Sequence, residues 1–200
     1  MTQVFDAEGR RIPVTVIQAG PCPVLQVKTK ERDGYEALQV GFGVGRKVIP
    51  KALAGHVGKA KAASPRWIRE IPHPGEELAL GHEITVAAFE ATKKVDVSGV
   101  TKGRGTAGVV KRWGFTKGPV THGTKNVREG GSMGGGGADP GKIWKGKRMP
   151  GRYGAERLTV KNLELVRVEK EKHLLFVRGA IPGPSGGLVI VRSSRGKAHA

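Results

Sequence analysis

The sequence is short of most things that an enzyme or a secreted domain uses. One cysteine, Cys22, occurs in 200 residues, which excludes a disulfide framework and any zinc site built from paired cysteines. A lone thiol of this kind is expected to serve as a small buried apolar residue. Aromatic residues make up 5% of the chain. No apolar run approaches the roughly 18 residues of a membrane-spanning helix, and the start, MTQVFDAEGRR, carries early acidic residues with no apolar leader segment, so a cytoplasmic, reducing setting is expected. Acidic residues are scarce too. Asp and Glu number 17 against 35 Lys and Arg, a net charge of +18, far more than solubility requires. Such an excess calls for a polyanionic partner, nucleic acid first and an anionic membrane surface second.

The groups that do chemistry are also dispersed. Six histidines, His56, His73, His82, His122, His173 and His199, show no i,i+4 pair, so hydrolytic, metal-dependent and acid–base readings lack a constellation, and neither metal nor cofactor is expected. The pattern GRGTAG (residues 103–108) fits a dinucleotide-binding fingerprint. The residues after it are rich in glycine and basic groups, where a helix and a later acidic residue would be required. The segment GKIWKGKR (residues 141–148) comes within one residue of a P-loop. Arg148 stands where a Ser or Thr would hold magnesium, and no strand precedes it. Both patterns are rejected.

What the chain does have is sharply segregated. Net charge is +3 over residues 1–100, +10 over 101–160 and +5 over 161–200, and 16 of the 32 glycines fall in the middle segment. The flanks read as strands: Arg11–Ile17, Val24–Lys28 and Tyr35–Phe42 as an antiparallel meander, then Arg66–Ile71, His82–Phe89, Lys93–Val100, Leu158–Val168, Leu174–Val177 and Leu188–Val191. A short basic helix is expected over residues 50–63. Many short strands with Gly/Pro turns predict a mainly β fold, a small antiparallel β-barrel. Residues 1–100 and 156–200 form the expected body, and 101–155 a long extended basic loop.

Within that loop basic groups interleave with aromatics. Lys102, Arg104, Lys111 and Arg112 stand beside Trp113 and Phe115; Lys142, Lys145, Lys147, Arg148 and Arg152 surround Trp144 and Tyr153. Cations neutralise phosphates, aromatic faces stack on unpaired bases, and glycine lets backbone amides approach a crowded nucleic acid. Each tryptophan is open to a second reading, as packing at the loop's root. A run such as GSMGGGGADPG (residues 131–141) cannot bury enough apolar surface to offset its ordering entropy. It is expected to become ordered against folded RNA, and long core-less segments of this kind are usually functional.

The segments VTKGRGTAGVVKRWGF, THG, GSMG, DPGKIWKGKRMPGRYGAERLTVKNLELVRVE and LLFVRGAIPGPSGGLVIVR, with IPVTVIQAGPCPVLQVKT and DGYEALQVGF before them, resemble the bacterial large-subunit ribosomal protein L-three family. The resemblance covers nearly the whole chain. It implies a translation-protein-like β-barrel body and an arm, residues 101–155, reaching through rRNA toward the peptidyl transferase centre. It also implies primary binding to 23S rRNA near its 3′ end, a part in nucleating assembly of the large (50S) subunit, and neighbouring ribosomal proteins as further partners. No small-molecule substrate and no membrane are expected. Carried over residue by residue, the rRNA-contacting set is Lys102, Arg104, Lys111, Arg112, Trp113, His122, Lys142, Lys145, Lys147 and Arg148. Against the family's pattern the chain looks clipped or differently started at Met1. It has no glutamine after Gln39, so the arm-tip glutamine methylation of some members has no acceptor; Glu129 also stands in a usually more basic region. The rival readings are a free-standing RNA chaperone or nucleic-acid-compacting protein and, from another class, a small enzyme using the barrel as a flavin or nucleotide site.

Overall fold

A computed structural model describes residues 1–45, 49–72, 78–134 and 143–194. The chain is mainly β with three short α-helices among the described residues, and it divides into two units. One comprises Met1–Asp96, Lys161–Ala180 and Arg192–Ala200; the other comprises Val97–Val160 and Ile181–Val191.

In chain order the elements are β1 (Thr2–Phe5), β2 (Arg11–Gln18), β3 (Cys22–Lys28), α1 (Lys30–Asp33), β4 (Ala37–Val44), α2 (Lys51–Lys59), β5 (Pro65–Pro72), β6 (Glu83–Ile84), a 3-10 turn (Val86–Phe89), β7 (Lys94–Val100), β8 (Thr106–Ala107), α3 (Val109–Trp113), β9 (Gly151–Arg152), β10 (Arg157–Glu169), β11 (Leu174–Arg178) and β12 (Val189–Ser193). They build a six-stranded sheet of order β1-β2-β11-β10-β7-β12, a four-stranded sheet β5-β4-β3-β6 and the two-stranded β8-β9.

Three expectations need correction. The three strands at 11–42 do not form one meander: β3 pairs with β4, whereas β2 pairs with β1 and, through Ile17 opposite Leu175 and Thr15 opposite Val177, with β11. The connection AGPCP explains the break. Pro21 and Pro23 have no N–H to give a ladder, and β2 gains more by burying Val14 and Ile17 with Leu175 and Val177. The strand expected over His82–Phe89 is only Glu83–Ile84. From Val86 the chain turns into a 3-10 helix that buries Val86 and leaves Ala87 and Ala88 in solvent, because a single apolar residue needs only one turn to reach the core. The helix expected over 50–63 is shorter, ending at Lys59, with Lys61 in the left-handed region (φ 51°).

The four-stranded sheet is buried on both faces. Val24, Leu38 and Val40 form one cluster with Val27, Ile71, Leu78 and Ile84, and Leu25 packs on the other face against Val57 and Ala60 of the α2 region. Gly55 and Gly58 each cost α2 about 1 kcal/mol of propensity, so the helix is held by packing of Leu53, Val57 and Ala60 at helical spacing rather than by its backbone. Prolines 65 and 72 bound β5, which is an edge strand, where a missing N–H is tolerated. Cys22 is half-buried, and burial pushes its thiol up.

One polar network crosses this sheet. Lys28 donates to the Tyr35 hydroxyl at 2.6 Å, Tyr35 donates to Glu70 at 2.9 Å, and Lys28 meets the Glu70 carboxylate at 2.7 Å. The hydrogen bond from Lys28, and then that from Tyr35, holds the Glu70 carboxyl below its usual range. A depressed carboxyl contributes stability that is present above its unfolded value and lost as pH falls through its folded one. Glu70→Gln is therefore expected to be less stable than the parent near neutrality, with the difference starting to shrink as pH falls below the ordinary glutamate range of about 4 and vanishing only below the lowered folded value. Urea unfolding from pH 6 to pH 2 checks this, and parallel pH profiles for the two proteins would refute it.

Candidate nucleic-acid interface

The segment expected to be an arm begins as a stem. Thr101 N–H donates to Glu156 O (2.9 Å), Ala155 N–H to Thr101 O (3.2 Å), Arg104 N–H to Tyr153 O (2.8 Å) and Tyr153 N–H to Gly105 O (2.9 Å). The ladder continues with Thr106 opposite Arg152 and Ala107 opposite Gly151. Glycine spaces the two strands: Gly154 has φ +74°, and any Cβ there would lie on the Lys102 carbonyl oxygen, while one at Gly151 would meet the Arg112 guanidinium. Ala107 and Val109 are buried, and the Gly130 backbone passes beside the Val109 methyls, so the segment has a small apolar nucleus. The hydroxyls of Ser98 and Thr159 satisfy one another at 2.8 Å.

Beyond β8, α3 places Arg112 and Trp113 side by side against the returning chain. Arg112 Nη1 donates to the Met149 carbonyl at 3.0 Å and Trp113 Nε1 donates to the same oxygen at 2.8 Å. Two guanidiniums lie over the Trp113 ring, Arg112 at 4.9 Å and Arg148 at 5.5 Å. Trp113 thus works at the root of the segment while remaining 40% exposed, whereas Trp144 is 86% exposed. Lys147 Nζ donates to the Ser132 carbonyl at 3.0 Å, and Gly118 N–H to Val127 O at 3.0 Å, closing two further turns.

Of the sequence-derived set, the fold brings Arg112, Trp113 and Arg148 together. Lys102, Arg104 and Arg152 sit exposed on the stem, Lys111 on the open side of α3, and Lys145 and Lys147 in the exposed turn after Trp144. His122 is exposed at a left-handed turn (φ 63°) and no described contact ties it to the others. Lys142 lies outside the described residues, as do residues 135–141 of the glycine-rich run. Sequence reasoning passed over Lys117, Lys125 and Arg128, which are cations of the same segment, and the Met149 carbonyl that anchors Arg112 and Trp113. The lysines and Arg128 were legible as charge; the carbonyl had no side-chain signal.

The electrostatics separate the two units. All six ion pairs among the described residues, Arg10–Glu8, Lys28–Glu70, Lys30–Glu36, Lys170–Glu90, Lys172–Glu169 and Arg178–Glu164, belong to the first unit. Among the described residues no Lys or Arg between 101 and 160 has a carboxylate within 4 Å. Arg112, Lys147 and Arg148 are held at fixed places by backbone and aromatic contacts, and they too are left without a counter-charge. Among the described residues, moreover, no three His, Cys, Asp or Glu side chains converge as a metal ion needs.

A profile of the ribosomal protein L3 family matches residues 76–173. Large ribosomal subunit protein uL3 of Prochlorococcus marinus (strain MIT 9313) is 50% identical over 197 residues, 98% of this chain and 90% of its own length. The proteins of the same name from Synechococcus sp. strains CC9605 and RCC307 are each 50% identical over 194 residues, 96% of this chain and 88% and 90% of theirs. With half of its residues shared over nearly its full length, this chain belongs to the uL3 family of large ribosomal subunit proteins.

Proposed function

We propose that this chain is a structural component of the large ribosomal subunit that holds rRNA with residues 101–155 and performs no chemistry of its own. The observation that carries the reading is the uncompensated charge: 13 basic against 3 acidic residues between 101 and 160, with no described ion pair there. Phosphates supply the missing counter-charge. Each one neutralised releases condensed counterions, an entropic gain that a carboxylate-paired lysine could not deliver. The Arg112–Trp113–Arg148 group gives this binding a rigid base, since guanidiniums ordered before binding lose less rotamer freedom on contact.

The finer assignment follows from the same reasoning joined to the family resemblance. The RNA is 23S rRNA near its 3′ end, the segment extends toward the peptidyl transferase centre, and binding helps to nucleate assembly in the cytoplasm beside other large-subunit proteins. Lys102, Arg104, Lys111, Lys142, Lys145, Lys147, Arg148 and Arg152 contact phosphate; Trp144, the more exposed indole, stacks on a base, and His122 lies on the same RNA. Co-sedimentation tests the reading. The protein is expected to stay with the large subunit through moderate salt washing and to protect rRNA nucleotides near the 3′ end from chemical probes. Release at low salt would indicate a free-standing RNA chaperone, and failure to sediment at all would end the ribosomal assignment.

A further inference from the structure

A second cationic surface lies entirely in the first unit. Residues 37–69 contain no aspartate or glutamate but seven Lys and Arg, an imbalance hidden by the modest +3 of residues 1–100. Within it Lys51, Lys59, Lys61, Arg66 and Arg69 are exposed, and among the described residues none has a carboxylate within 4 Å. The next acid along the chain, Glu70, is already committed to Lys28 and Tyr35. The charge does not serve the helix either. Lys51 opens α2 in the turn where the backbone dipole favours an anion, and no acidic residue occupies that turn.

The surface also has shape. Phe42 and Trp67 stand opposite one another on β4 and β5 with rings stacked, centroids 6.0 Å apart and 18° from parallel. The Arg66 guanidinium rests 4.3 Å from the Trp67 ring centre, so its donors are fixed in direction. Beside it opens a cleft of about 590 Å³ lined by Val44, Ile49, Leu53, Pro65, Arg66 and Trp67. Apolar walls with a positioned guanidinium match a nucleotide, whose base and ribose are largely apolar in bulk and whose phosphate is the anion. An acidic protein segment would satisfy the cations and leave the cleft without a reason.

We propose that this face, α2 with the Arg66–Trp67 end of β5, is a second RNA-binding surface, with Lys51, Lys59 and Arg66 on phosphates and the cleft receiving an unpaired nucleotide. The proposal rests on the ribosomal reading for the identity of the RNA, yet uses none of residues 101–155.

The test uses the full chain and filter binding to a large-subunit rRNA fragment at several salt concentrations. The variant Lys51→Ala/Lys59→Ala/Arg66→Ala is expected to lower the slope of log affinity against log salt by roughly 2 to 3. A charge-keeping variant, Lys51→Arg/Lys59→Arg/Arg66→Lys, is expected to hold the parent slope, which shows that any loss is not one of folding. Lys30→Ala/Lys170→Ala/Lys172→Ala, which removes three ion-paired lysines, is expected to hold it as well. If the first variant keeps the parent slope, or the ion-paired control loses as much, the proposal is overturned, and an acidic protein or solvent is what faces these cations. Either result leaves the proposed role of residues 101–155 to a separate variant at Lys145, Lys147 and Arg148, so the two can fail independently.

Discussion

Replacing Lys145, Lys147 and Arg148 together by alanine is expected to lower the log–log salt slope of rRNA binding by roughly 2 to 3, since each phosphate contact contributes about 0.7 to 0.9. The structure sets how many of the three contacts can form. Lys145 makes no described side-chain contact, so it can turn fully onto a phosphate. Lys147 must leave, or share, the Ser132 carbonyl that it meets at 3.0 Å, and Arg148 must meet its phosphate from a place 5.5 Å from the Trp113 ring centre. A slope change of about 1.4 to 1.8, two contacts, places Lys147 on the protein backbone in the complex; one of about 2.1 to 2.7 places all three side chains on RNA. Trp144→Ala should leave the slope unaltered, because stacking carries no counterion term, and its loss, on the order of 1–3 kcal/mol, should be the same at every salt concentration. An unchanged slope in the triple variant would show that the cluster is a solvated face.

A substitution that alters no charge is expected to damage the same function. Gly154→Ala puts a methyl group on the Lys102 carbonyl at a position with φ +74°, and relieving it means parting the stem. The left-handed conformation costs an alanine about 1–2 kcal/mol, and the clash adds to that, so a total of at least about 2 kcal/mol is expected. Hydrogen exchange at Thr101, Arg104 and Tyr153, whose amides make the stem bonds, should accelerate by on the order of 30-fold or more. Amides of the first unit, such as those of β11, should hold their rates. Binding to rRNA should weaken because the cations lose their fixed base. Gly105→Ala supplies the comparison, for it lies in the same stem at φ +66° with open space where the Cβ would go and should show only the conformational part. Equal effects from the two substitutions would mean that the close approach at Lys102 is not what holds the stem.

Much of this chain was legible without coordinates, for a reason visible in particular residues. Strands such as Arg157–Glu169 and Leu174–Arg178 declare themselves because their alternation is local, and β7 and β5 came out within a residue or two of the expected bounds. The segment 82–89 did not, because HEITVAAF has the composition of a strand, yet after Ile84 the chain turns to bury Val86 and leaves Ala87 and Ala88 in solvent. The basic residues of 101–155 were legible as a class, since unbalanced charge and glycine are properties of the chain itself. The surface on α2 is invisible in the segment totals, because acids at 1–36 and 70–100 offset it in the sum.

The sequence by itself determined the β-rich composition, the excess of positive charge and the family, since each depends on residue type and order alone. The tertiary structure decided who stands next to whom. Near-equivalent apolar strands can pair in several ways, and the choice of β11 rather than β3 as partner for β2 rests on burial summed over residues some 160 positions apart. The same holds for charge. Whether a lysine is paired, as Lys170 is with Glu90, or unpaired, as Lys51 and Lys145 are among the described residues, depends on a distance of a few ångströms through space. Coulomb attraction falls with that distance and is blind to separation along the chain.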